Sequence, residues 1–104
     1  MGTGTGATGW CASIVRERAG APTLPGPQER ELSWFVREAW PSPVTGVALT
    51  AGRIAAGQRL ELTIESDQLV CFADGIESDH LTLAWGQRVL LGLADQHLTL
   101  VTRA

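Results

Sequence analysis

Lysine is absent from this chain, so its eight basic residues are all arginine, scattered from Arg16 to Arg103. The acidic side chains outnumber them, leaving a formal net charge of −3. A chain so balanced has no basic stripe to neutralise a phosphate backbone, which argues against nucleic-acid binding. Cysteine is nearly missing. Cys11 and Cys71 stand far apart, with no Cys-x-x-Cys pair and no zinc-like spacing to His80 or His97. They are expected to be buried or half-buried thiols. No apolar run approaches the ~20 residues a membrane-spanning helix needs. The front end also lacks the positive charge and apolar stretch of a signal peptide. The expected address is cytoplasmic, with no membrane partner.

What is present suits one domain with one modest core: 104 residues, 44% of them hydrophobic. The chain opens MGTGTGATGW, with glycine at 2, 4, 6 and 9 and threonine at 3, 5 and 8. Backbone that permissive can approach a ligand closely. Gly4, Gly6 and Gly9 satisfy G-x-G-x-x-G, but the strand that a dinucleotide fingerprint requires before it is missing. A phosphate loop of the Walker type fails as well, because no Lys-Ser or Lys-Thr follows. The threonine hydroxyls suit ribose hydroxyls, amides and phosphate oxygens alike. A flexible leader holding no ligand is the alternative.

Trp10, Ile14 and Arg18 recur at helical spacing, so a short helix is predicted over Trp10–Arg18, with Thr8 as its cap. AGAPTLPGP (19–27) ends it and is expected to be loop. In Glu31–Trp40, Leu32, Trp34 and Val36 alternate with Ser33, Phe35 and Arg37, which favours a strand ended by Pro41 and Pro43. From Val44 onward short strands are cut by turns. Arg59–Glu65 is the cleanest, with Leu60, Leu62 and Ile64 on one face. Gln68–Ala73, Leu81–Ala84, Arg88–Leu93 and His97–Thr102 follow, separated by Asp74–Gly75, Trp85–Gly86 and Ala94–Asp95. The expected fold is mainly β, a sandwich or partly open barrel with one short helix near the start.

Thr3–Trp10 (TGTGATGW) resembles the Thr-x-Thr-Gly-Ser-Thr-(Ala/Gly)-(Tyr/Trp) segment of the NAD kinase superfamily, and is closest to its NAD kinase-like or sugar kinase-like branch. FVREAWPSP (35–43) is similar to that branch's Val-Arg-Glu-Pro segment. The stretch from Thr45 to Val101 resembles the family's closing β-domain: an Asp-Gly after a hydrophobic strand, a Gly-x-x-Val strand, then a final Leu-x-Leu-Val strand. The resemblance covers nearly all of the chain, with Ala19–Arg30 matching least.

It implies a β-sandwich-like C-terminal domain spanning 1–104. Residues 1–18 would be nucleotide-binding loop and helix, 19–30 loop, and 31–104 the β-domain. It also implies transfer of the ATP γ-phosphoryl group to the adenosine ribose 2′-hydroxyl of NAD, with Mg2+ neutralising charge. Thr5, Gly6, Thr8, Gly9 and Trp10 would contact NAD, and Ser13 matches a small hydroxyl residue one turn later. Asp74 and Gly75 match the family's Asp-Gly turn. Ala7 stands where Ser or Thr is usual, which bears on nucleotide preference.

The family's carboxylate base and its ribose-gripping Asn-Glu pair belong to an N-terminal α/β domain that this sequence lacks. No catalytic residue or metal ligand is therefore assigned, and ATP and Mg2+ would be held only in the complete enzyme. Asp74, Glu77 and Asp79 cluster but are expected to form a solvated loop, and Glu61 and Glu65 a solvent face. His80 and His97 begin short strands, in exposed or capping roles. The rival expectation is a non-catalytic β-module that assembles with a partner or with itself through Trp34, Trp40 and Trp85.

Overall fold

The computed structural model describes residues 1–44 and 46–103. Thr45, which begins the stretch likened to the closing β-domain, and Ala104 lie outside the described residues. The order of elements is α1 (Trp10–Glu17), β1 (Glu31–Phe35), β2 (Ala51–Ala55), β3 (Leu60–Thr63), β4 (Leu69–Phe72), β5 (His80–Leu83) and β6 (Arg88–Leu91). The described residues are thus mainly β, with one short helix. Their strands form three two-stranded antiparallel ladders, β1–β2, β3–β6 and β4–β5. Two compact units result: Met1–Gln58 together with Gly92–Ala104, and Arg59–Leu91.

In the first unit, α1 packs against β1. Its inward stripe is Cys11, Ile14 and Val15, three positions at i, i+3 and i+4 that bring one side of the helix to the sheet. Trp10, at helical spacing from Ile14, is 73% exposed, and the Arg37 guanidinium lies 5.0 Å from its ring centroid. A cation over an aromatic face holds an exposed indole where burial does not. Nor does Thr8 cap the helix. Gly9 is the cap residue, without a side-chain hydrogen bond. At the other end Arg18 donates to the carbonyls of Thr50 (3.3 Å) and Val36 (2.9 Å), tying the helix terminus to the β1–β2 hairpin.

The β1–β2 register sets Leu32 opposite Ile54 and Trp34 opposite Gly52. Leu32, Ile54, Ala7 and Cys11 make the buried apolar core of this unit. A side chain on Gly52 would come within 2.6 Å of the Trp34 indole nitrogen, so the absent Cβ is what lets the ring lie across the hairpin. β1 is shorter than the strand predicted over 31–40. Val36 still donates to Thr50, but Glu38 has φ 51°, a left-handed conformation that no strand continues through. His97–Thr102 forms no strand. Alternation specifies a face, not a free edge, and this segment pairs with no strand among the described residues.

In the second unit, β3 and β6 pair with Leu60 opposite Leu91 and Leu62 opposite Val89. β4 and β5 pair with Leu69 opposite Leu83 and Cys71 opposite Leu81. The 73–79 loop joins these two. Within it the Ile76 amide donates to the Ala73 carbonyl at 3.1 Å, and Asp74 and Gly75 between them have φ 57° and 72°. Two successive positive φ values define the primed turn expected of Asp-Gly. Its burial is slight. Ile64 is the buried apolar residue of this unit, and the two ladders leave an apolar groove of about 360 Å³ between them.

Candidate functional site

The opening loop is fastened to the sheet. Gly2 and Ser33 form an antiparallel bridge, each amide donating to the other's carbonyl at 2.9 Å. Ser33 is wholly buried, and its hydroxyl donates a further bond of 3.3 Å to the Gly2 carbonyl. Beyond the bridge the loop folds on itself. The Gly6 amide donates to Thr3 Oγ1 at 3.4 Å and the Ala7 amide to the Gly4 carbonyl at 3.5 Å.

Gly4 meets the proline-rich connection directly. A Cβ built there would stand 2.0 Å from the Gly26 carbonyl oxygen, so only glycine allows this crossing of two backbones. The connection is itself a closed turn: the Glu29 amide donates to Gly26, and the Gly26 amide donates back to Glu29 Oε2 at 3.1 Å. Arg53 then bridges Glu29 at 3.0 Å and the buried carboxylate oxygen of Glu31.

These pieces leave an open cleft of about 760 Å³, within the ~300–1,000 Å³ of typical small-molecule sites. Thr3, Thr5 and Gly6 form one wall, 27–30 with Leu32 a second, and 92–94 and 96–98 with Leu100 the third. The third wall carries His97 and lacks regular structure. It is held to the rest of its unit by Arg30, whose Nη2 donates to the Ala94 carbonyl at 3.4 Å.

The structure therefore brings Thr5 and Gly6 to a concave surface, in company with Thr3. Thr8, Gly9, Trp10 and Ser13 are exposed and stand outside the cleft lining. Asp74 and Gly75 belong to the second unit, in the turn described above. Arg30 and the third wall were not anticipated as site residues. The expectation of a strand at His97–Thr102 concealed the wall, and the proline-rich stretch gave no hint that its glycine met Gly4.

Two further titratable groups, His80 and Glu61, have local partners. His80 is exposed, and its Nδ1 lies 2.7 Å from the Glu77 carbonyl oxygen. Glu61 pairs with Arg88 at 2.8 Å; the hydrogen bond from Arg88, and then its charge, hold the Glu61 carboxyl below its ordinary value. Cys11 is buried and Cys71 half-buried, both as free thiols. Among the described residues no three His, Cys, Asp or Glu side chains gather as a metal ion requires. Likewise none of their helices is long and apolar enough to cross a membrane. Comparisons of the chain with family models, curated proteins and solved structures find no match.

Proposed function

We propose that this chain is the dinucleotide-binding C-terminal domain of a cytoplasmic NAD kinase-family phosphotransferase, its β-elements arranged as in that family's sandwich-like domain. The observation that supports the reading is the anchored loop: the Thr/Gly motif behind the resemblance is pinned by a buried serine and lines a cleft of ligand size. Thr3 and Thr5 would present hydroxyls to the ribose and phosphates of NAD, and Gly6 an approach free of side chain.

Phosphoryl transfer to the ribose 2′-hydroxyl needs positioning, charge neutralisation and a carboxylate beside the attacking oxygen. In this proposal the chain supplies the positioning. The described residues offer no cluster suited to Mg2+, so the metal, ATP and the base are assigned to an α/β partner domain.

Titration of the chain with NAD, followed by amide NMR and calorimetry, tests this. The Thr3, Thr5 and Gly6 amides should shift, and Thr5→Val should weaken binding by about 1 kcal/mol, roughly fivefold, as one lost hydrogen bond does. Saturating NAD that leaves those amides unmoved would refute the proposal.

A second reading is a non-catalytic β-module for assembly. It is favoured by the second unit, where Leu69, Val70, Phe72, Leu81, Trp85 and Leu90 are between 41% and 68% exposed. That much uncovered apolar surface in one small unit suits a protein interface. Light scattering separates the two: a tight oligomer indifferent to NAD supports assembly, and a monomer that binds NAD supports the kinase domain.

A further inference from the structure

Three charged or titratable side chains line the cleft: Glu29, Arg30 and His97. Glu29 is already spent. Its Oε2 accepts from the Gly26 amide and from Arg53, which also pairs with Glu31, so this carboxylate oxygen already has partners. Arg30 is in the opposite condition. It has no acidic partner within ion-pair distance among the described residues, and its one side-chain bond runs to the neutral Ala94 carbonyl.

A guanidinium carries five N–H donors in a rigid planar fork. The bond to Ala94 occupies one Nη2 hydrogen and leaves the others, with the full positive charge, free at the cleft edge. The base of the side chain is also fixed, because the Arg30 carbonyl accepts from the Ala56 amide at 3.2 Å and the next residue begins β1. The fork is thus held in direction before any ligand arrives. Hydroxyls on the Thr3–Gly6 wall and a ring N–H of His97 supply further donors. A chain of net charge −3 here places a guanidinium that lacks an ion-pair partner among the described residues beside hydroxyl donors.

We infer that Arg30 is the anion-reading residue of the cleft and that the cleft takes the pyrophosphate of a nucleotide, the Arg30–Ala94 bond aiming the fork. This rests on the cleft being the ligand site and adds the group that selects the ligand. A guanidinium fork pairs bidentately with phosphate as it does with carboxylate, and the hydroxyl donors nearby extend the match to a second phosphate group.

The test uses inorganic pyrophosphate, NAD and adenosine as separate probes, titrated at low ionic strength into wild type, Arg30→Gln and Arg30→Lys. Pyrophosphate should bind wild type, shifting the Thr3, Thr5 and Gly6 amides, and should weaken about tenfold or more in Arg30→Gln. Arg30→Lys should fall between, keeping charge but losing the fork. NAD affinity should drop in parallel with pyrophosphate, while adenosine, lacking phosphate, should bind all three proteins alike.

Pyrophosphate that ignores Arg30→Gln, or fails to bind wild type, overturns the inference. So does an equal loss for adenosine, which would mark Arg30 as a mere strap on Ala94. Pyrophosphate bound through Arg30 with no affinity for NAD would uphold the inference while removing the dinucleotide reading. NAD binding indifferent to Arg30 would do the reverse.

Discussion

Gly2 and Ser33 exchange both of their backbone hydrogen bonds, each 2.9 Å long, which makes the second residue of the chain part of the sheet. Chain termini normally fray unless tied in this way. The tie lies where no side chain has room, since Ser33 is 0% exposed.

Enlarging Ser33 should therefore loosen the loop. Ser33→Val should cost about 1–3 kcal/mol through overpacking. Ser33→Ala should cost about 1 kcal/mol, for the hydroxyl bond to Gly2 alone. Denaturant unfolding gives both values, and hydrogen exchange at Gly2 and Ser33 shows whether the bridge itself opens. Identical melts for Ser33→Val and wild type would disprove the tight packing.

Gly4 should be intolerant in a different manner. Its Cβ would meet backbone rather than a yielding side chain, so Gly4→Ala must separate the opening loop from Pro25 and Gly26. A destabilisation of about 1–3 kcal/mol is expected, with amide shifts at Gly6 and Glu29. Gly9→Ala serves as the control, because a Cβ there meets nothing within 4 Å.

Acid should act on the second unit through Glu61. Its folded-state carboxyl lies below the ordinary value because Arg88 hydrogen-bonds to it and faces it with positive charge. A lowered folded value means the contribution is present at neutral pH and lost as pH falls through that lowered value, on the acid side of the usual carboxylate range. Arg88 is raised by the same pairing, so it stays charged throughout that window. In an NMR titration of side-chain carboxyls, Arg88→Gln should return the Glu61 midpoint to the ordinary range. A midpoint that does not move would show that the pair is not formed in solution. Both groups are exposed, so added salt should shrink the difference.

Much of the fold was legible where residues carried their own instructions. Leu60, Leu62 and Ile64 marked β3 by alternation, and Asp74–Gly75 marked a turn that only positive φ can make. The failures share a cause: long-range partners that local pattern does not encode. Ala51–Ala55 became a strand although small and weakly patterned, because Gly52 makes room for Trp34 on β1. His97–Thr102 alternates well but has no edge to join. In the cleft, Thr5 and Gly6 were visible as chemistry, whereas Arg30 needed its distance to Ala94 before its role could be read.

The pairing of Leu60 with Leu91 has a bearing on how this chain could be rebuilt. Opposed residues on antiparallel strands lie about 4.5–5.5 Å apart, so the segment Arg59–Leu91 leaves and re-enters the polypeptide at nearly one point. It has the anatomy of an insertion, the kind of piece that can be excised without stretching what flanks it. Joining Gln58 to Gly92 through a residue or two of glycine would remove both ladders and keep in the chain every residue that lines the cleft, its arginine included.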